Sequence, residues 1–163
     1  MNDVVSVYVG TYAKYNNGSL FGEWVDINKF DCHKEFHSYC VKLHDDETDP
    51  ELMYQDHEGL PGDDCGNING YLWQWLALDQ TSRDVVCAYM YCFDCNLTVA
   101  FQNYADAYIG QFDSMEEFSH DHFIEWHQIP NTLIDYIDYN KVDIEYELEY
   151  YINNGHVFRN HHG

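Results

Sequence analysis

The sequence predicts an α+β protein built from three small subdomains, on three observations. Two β-branched and aromatic runs near the N-terminus flank a turn-forming segment and lead into an amphipathic helix. Beyond a Gly/Pro/Asp-rich stretch the hydrophobic period turns helical. Near the C-terminus a capped helix precedes an alternating acidic–apolar run and an Asn-Gly turn. The expected divisions are 1–60, an antiparallel sheet with a helix; 61–107, a helical bundle; and 108–163, acidic helices with a short antiparallel sheet. A chain of 163 residues suits one domain or two to three small ones packed together. Hydrophobic content of 45%, with 17% aromatic residues, is ample for a core.

In order, Val4 to Tyr12 is β-branched and aromatic and reads as a strand. Lys14 to Ser19 carries turn chemistry, with Asn17-Gly18 suited to positive φ, and Leu20 to Ile27 returns as a second strand, which makes a hairpin. Asp31 opens a helix with Cys32, Phe36, Tyr39, Cys40 and Leu43 on one face. An acidic loop, Asp45 to Glu51, ends it, and Leu52 to Glu58 reads as a third strand. Gly59 to Gly66 is a linker and marks a boundary.

Tyr71 to Leu78 then predicts a short buried helix. Thr81 with Asp84 resembles a capping box for a second, through about Phe93, and Leu97 to Tyr108 predicts a third. Ser114 with Glu117 forms a better box, opening a helix through about His127, before Pro130. On it Glu117, Asp121 and Glu125 fall at i, i+4 and i+8, a stripe along one face with a rise of about 6 Å between neighbours. Asp143, Glu145, Glu147 and Glu149 alternate with Ile144, Tyr146, Leu148 and Tyr150. This period of two predicts a strand with one acidic and one apolar face. Asn154-Gly155 predicts a hairpin turn into His156–Arg159, and His161-His162 reads as a frayed end.

Charge dominates the chain. Between Asp94 and Glu149 thirteen carboxylates face a single base, Lys141, and ten aromatic residues from Phe101 to Tyr146 sit among them. An acidic run poor in aromatics would be a disordered tail; this one has the apolar residues to fold beneath an anionic coat. A solvated face that keeps the protein soluble is the ordinary explanation. Solubility, however, needs a net charge of only about 2 to 8, against −22 for the whole chain, and the excess repels itself in the compact state. A basic partner surface is implied; nucleic acid and anionic membranes would be repelled.

Other chemistries find little support. Cys92 and Cys95 have the spacing of a zinc knuckle or redox pair, with Cys65 and Cys87 nearby, but no second pair completes a zinc site and no strand precedes them. Core or incidental thiols are the better reading. His120, His122, Glu125 and His127 do not form the His-Glu-x-x-His arrangement; they read as surface histidines whose pKa an acidic field raises. No phosphate loop, nucleophile elbow or Cys–His signature is present, so neither enzyme nor cofactor is expected. No 18-residue apolar run and no secretory leader pattern occur, so the expectation is a soluble, unexported protein whose six cysteines are reduced.

Tyr8 to Ile27, Asp49 to Gly59, Ile129 to Tyr139 and the closing Gly155 to Phe158 resemble, in that order, blocks of the ArdA antirestriction family. Gly62 to Asn103 is similar more loosely, its Trp- and Cys-rich helices departing from the usual pattern. The resemblance implies an elongated, three-part, homodimeric cytoplasmic protein of a bacterial host cell, carried by a mobile element. It implies mimicry of bent B-form DNA in the groove of a type I restriction–modification enzyme, on the methyltransferase core with its specificity subunit. It further implies a dimer contact around Ile129, Leu133, Tyr136, Ile137 and Tyr139.

The charge arithmetic agrees. Duplex DNA carries one charge per about 1.7 Å, so 22 charges imitate roughly 37 Å, and a dimer about 75 Å. The carboxylates expected to stand for phosphates are Asp106, Asp113, Glu116, Glu117, Asp121, Glu125, Asp135, Asp138, Asp143, Glu145, Glu147 and Glu149. Three rivals share parts of this pattern: a decoy for another DNA-binding protein or defence methyltransferase, a metal-binding protein, and a carboxylate-based hydrolase. A pull-down, metal analysis and the search for one indispensable acid, respectively, separate them from the first reading.

Overall fold

The computed structural model describes residues 4–160 and is α+β, with two three-stranded antiparallel sheets. His161 and His162 lie outside the described residues. The chain forms two compact units. The first runs to Arg83 and takes in Asn96–Thr98; the second comprises Asp84–Cys95 and the chain from Val99 onward.

In the first unit β1 (Ser6–Thr11) lies between β2 (Glu23–Asp26) and β3 (Leu52–Glu58), antiparallel to both, with Val7 opposite Val25 and His57. Val5, Val7 and Val9 are fully buried, as expected of alternate residues on the covered face of a central strand. The link from β1 to β2 is not the expected two-residue turn. A short helix, α1 (Tyr12–Asn16), intervenes, capped by Thr11, whose hydroxyl accepts from the Lys14 amide. Asn17 keeps negative φ and only Gly18 adopts a positive one (+81°), so Asn17-Gly18 closes a helix rather than a hairpin. Helix α2 (His33–Leu43) buries Phe36 and Cys40 as its period predicts, while Tyr39 and Cys32 stay exposed. Further along lies α3 (Gly70–Leu76), where Trp73 Nε1 donates to the Phe30 carbonyl at 2.8 Å and its ring packs on Phe36.

Helices α4 (Gln80–Phe93) and α5 (Leu97–Ala107) follow. The cap of α4 is Asp79 rather than Thr81: its carboxylate accepts from the Ser82 amide and hydroxyl, both at 2.9 Å. These bonds hold the Asp79 carboxyl below its usual range.

In the second unit β4 (Tyr108–Gln111) pairs with β6 (His156–Arg159), which pairs with β5 (Tyr150–Asn153). Asn154 (φ 48°) and Gly155 (φ 80°) form the expected hairpin turn with both central residues at positive φ. Strand β4 has no counterpart in the sequence reading. Helix α6 (Met115–Trp126) begins as predicted: Ser114 accepts from the Glu117 amide at 3.0 Å. The reciprocal arm reaches one residue further back than a standard box, Glu117 Oε2 accepting from the Asp113 amide at 2.7 Å.

The main correction concerns 139–149, which is helix α7 (Tyr139–Glu149), not a strand. A helix advances about 100° per residue, so Val142 and Tyr146 face the core and Ile144 and Leu148 lie nearly opposite. Asp143 and Glu147 occupy one flank, Glu145 and Glu149 the other. The two apolar faces are distinct: Val142 and Tyr146 are buried, whereas Ile144 is 62% and Leu148 71% exposed. Two opposed apolar stripes separated by two acidic flanks produce an alternating sequence without a strand. The core beneath comprises Phe118, Val142, Tyr146, Tyr150 and Val157.

Burial pushes the Cys40 thiol and the Tyr54 hydroxyl to about 12 in the first unit, and in the second the Cys92 thiol to about 11 and the Tyr146 hydroxyl to about 12. Each value lies above that of the unfolded chain, so the folded state holds these protons longer. Their stabilisation is fully present below about pH 8.5 and lost as pH rises through the folded values. Urea midpoints are therefore expected to stay level with respect to these groups up to that pH and to fall progressively above it. A midpoint unchanged at strongly alkaline pH would contradict the assignment.

Candidate partner-binding surface

The acidic surface is carried by α6, α7 and their flanking segments in the second unit. Phe118 and Ser119 turn α6 inward, and Glu116, Glu117, Asp121 and Glu125 are all exposed, the last drifting back toward the Phe118 side beyond the end of the core. All three carboxylates of the expected stripe are therefore open to solvent, and the double cap at its start fixes the first turn. Asp106, Asp113, Asp135, Asp138, Glu145, Glu147 and Glu149 are also exposed.

Besides Glu117, which accepts from the Asp113 amide, two of the expected carboxylates are engaged by other side chains. Asp138 pairs with Lys141 at 3.2 Å, and both are open to water. Asp143 is half-buried: Ser119 Oγ donates to it, and His120 Nε2 stands 3.1 Å away, within ion-pair range but without hydrogen-bond geometry. Among the described residues the other ten have no ion-pair partner. The alternating set thus does not act as one row. Glu145 and Glu149 share a flank, Glu147 stands on the other, and Asp143 braces α6 against α7.

The residues expected at a dimer contact also divide. Leu133 is exposed and Tyr136 is 83% exposed. Ile137 packs against the core, and the Tyr139 ring lies 4.1 Å from that of His120; Ile129 is half-buried. Ile144 and Leu148, which the strand reading would have turned inward, join the exposed apolar set. A helical rather than period-two reading of 139–149 would have found them.

Among the histidines His122 departs from expectation. His122 is half-buried and its imidazole is pushed below the usual value by burial first and then by the Arg159 charge, against Glu125. Its Nδ1 lies 2.7 Å from the Tyr146 hydroxyl. Cys92 and Cys95 are free thiols raised by burial, the opposite of an activated redox pair.

Among the described residues one cluster has metal-ligand spacing: His44, Asp46 and Glu47 in the first unit. The Lys14 ammonium already occupies it, 2.9 Å from His44 Nδ1, 2.7 Å from Asp46 and 3.4 Å from Glu47. His44 Nε2 faces the Val9 carbonyl at 3.2 Å, and Thr11 donates to Glu47 at 2.6 Å. The network is that of an internal cation tying helix to sheet.

The family model described as "Antirestriction protein (ArdA)" matches residues 7–158, nearly the whole chain. The chain belongs to the ArdA antirestriction family. A search of curated proteins gave no match. The ArdA match spans both compact units, including the loosely similar Trp- and Cys-rich helices. Family membership makes the protein an antirestriction protein, and so ties it to restriction–modification enzymes in general. Among the described residues no helix is long and apolar enough to cross a membrane.

Proposed function

We propose that the protein inhibits a type I restriction–modification enzyme by occupying its DNA-binding groove as a mimic of B-form DNA. The observation that carries this reading is the set of ten exposed carboxylates without an ion-pair partner among the described residues, nine of them on α6, α7 and the segments flanking them and Asp106 on α5. A basic groove that normally meets phosphates would receive carboxylates there, and each pairing on an exposed surface contributes about 0.2–1 kcal/mol. Inhibition is competitive occlusion in the bacterial cytoplasm, stoichiometric and without turnover, and it blocks DNA binding and hence restriction.

The test is displacement of a labelled duplex from a type I methyltransferase core by the full-length protein at several salt concentrations. Stoichiometric displacement that weakens steeply with salt is expected. Duplex that stays bound, or displacement indifferent to salt, would overturn the type I reading and direct attention to another DNA-binding target.

The same proposal includes a homodimer. Its contact would use Leu133 and Tyr136 from the expected region, joined by Ile144 and Leu148. Exposed apolar side chains of this size, one helical turn apart, form the kind of patch that a second copy covers. The double variant Ile144→Asp/Leu148→Asp is expected to sediment as a monomer with an unchanged circular dichroism spectrum. An undiminished dimer would place the contact elsewhere.

A further inference from the structure

Between the C-terminal half of α6, helix α7 and the β5–β6 hairpin lies an open cleft of about 510 Å³, within the size range of sites that take a small organic group. Trp126 forms one wall, its ring stacked on His122 with planes 11° apart and centroids at 5.8 Å. Trp126 is nevertheless 70% exposed. Tyr146 and Tyr150 are stacked on each other at 5.2 Å, and the His122–Tyr146 contact holds this aromatic wall in place. Glu145 and Glu149, one helical turn apart, line the same opening with exposed carboxylates.

The cleft also holds a cation of its own: the Arg159 guanidinium lies 5.9 Å from the Tyr150 ring centroid. Two carboxylates against one guanidinium leave a net negative charge beside an uncovered indole. An anionic ligand would meet like charge. A planar cation would find an aromatic face that attracts it and carboxylate oxygens that bind a guanidinium through two hydrogen bonds. Arg159 shows that an aromatic face of this cleft accepts such a group.

We infer that the cleft is an anchor for one arginine side chain of the protein that the acidic surface engages. The inference rests on the proposed function for the identity of that protein, but not for the chemistry of the site. Its consequence is a division of labour. The exposed carboxylates contribute many weak, salt-screened contacts, whereas covering Trp126 contributes a single concentrated one, as buried aromatic anchors do in protein interfaces.

The test uses isotope-labelled full-length protein titrated with N-acetyl-arginine amide and, separately, with its uncharged isostere N-acetyl-citrulline amide. Saturable shifts of the Trp126 indole N–H resonance are expected with the arginine probe alone, and their loss in Glu145→Gln/Glu149→Gln. Equal shifts from both probes, or arginine shifts spread evenly over the acidic surface, would overturn the anchor. In the duplex-displacement assay, Trp126→Ala changes no charge and is expected to weaken inhibition about tenfold or more; inhibition equal to wild type would likewise overturn it. A wild-type protein that saturates with the arginine probe but displaces no duplex would sink the type I reading and leave the anchor standing.

Discussion

Changing Glu117, Asp121 and Glu125 together to glutamine, asparagine and glutamine is expected to weaken displacement of DNA by roughly 10- to 100-fold, while each single change costs less than about threefold to fivefold. The figures follow from three exposed contacts of about 0.5–1 kcal/mol each, with 1.4 kcal/mol for every factor of ten. The helix should survive. Glu117→Gln keeps a side-chain oxygen able to accept from the Asp113 amide, as the carboxylate of Glu117 does at 2.7 Å, and the Ser114 cap is untouched. Two like-charge i, i+4 pairs disappear, each of which costs a helix a few tenths of a kcal/mol. The triple variant should therefore be a weaker inhibitor and a slightly more stable protein. Displacement titrations beside urea melts would show both. Loss of all activity from one of the three singles, with the fold intact, would refute a distributed charge mimic.

Phe118→Ala is expected to remove about 3–5 kcal/mol of stability, the range for truncating a buried aromatic residue. Phe118 is fully buried, and its ring meets Phe112 and Tyr150 at 4.9 Å, His122 at 5.1 Å and Tyr146 at 5.5 Å. One ring thus joins α6 to α7, to the start of β5 and to the residue that follows β4. Against a total of about 5–15 kcal/mol for a typical protein, this loss would unfold a substantial part of the unit. Inhibition would fail together with the near-ultraviolet signal of the packed aromatics, whereas the charge variants should leave that signal unchanged. A urea midpoint within error of wild type would mean that the ring is not the centre of this core.

The features legible in the sequence are those with a local physical cause. Leu52 to Glu58 is a strand with those bounds, Phe36 and Cys40 mark the buried face of α2, and Ser114 caps α6, because period and side-chain capping act within a few residues. Asn154-Gly155 makes its predicted turn since it tolerates positive φ at both positions, whereas Asn17-Gly18 does not, because Thr11 starts a helix that Gly18 then ends. Strand β4 is four residues long and contains Gly110, so it carries too little pattern to be read. Helix α7 shows the same limit from the other side: its alternation is the signature of a strand until a second, outward apolar face is known to exist.

The sequence by itself determined the sign and density of the charge, the family and most elements, since these depend on composition and neighbouring residues. Only the tertiary structure decided which carboxylates are free. Asp143 is taken up by Ser119 and His120, which are 24 and 23 positions earlier in the chain, and Trp126, Glu149 and Arg159 meet at one cleft. Such contacts arise from the packing of α6 on α7 and of both on the C-terminal hairpin, and separation along the chain leaves no local pattern of them.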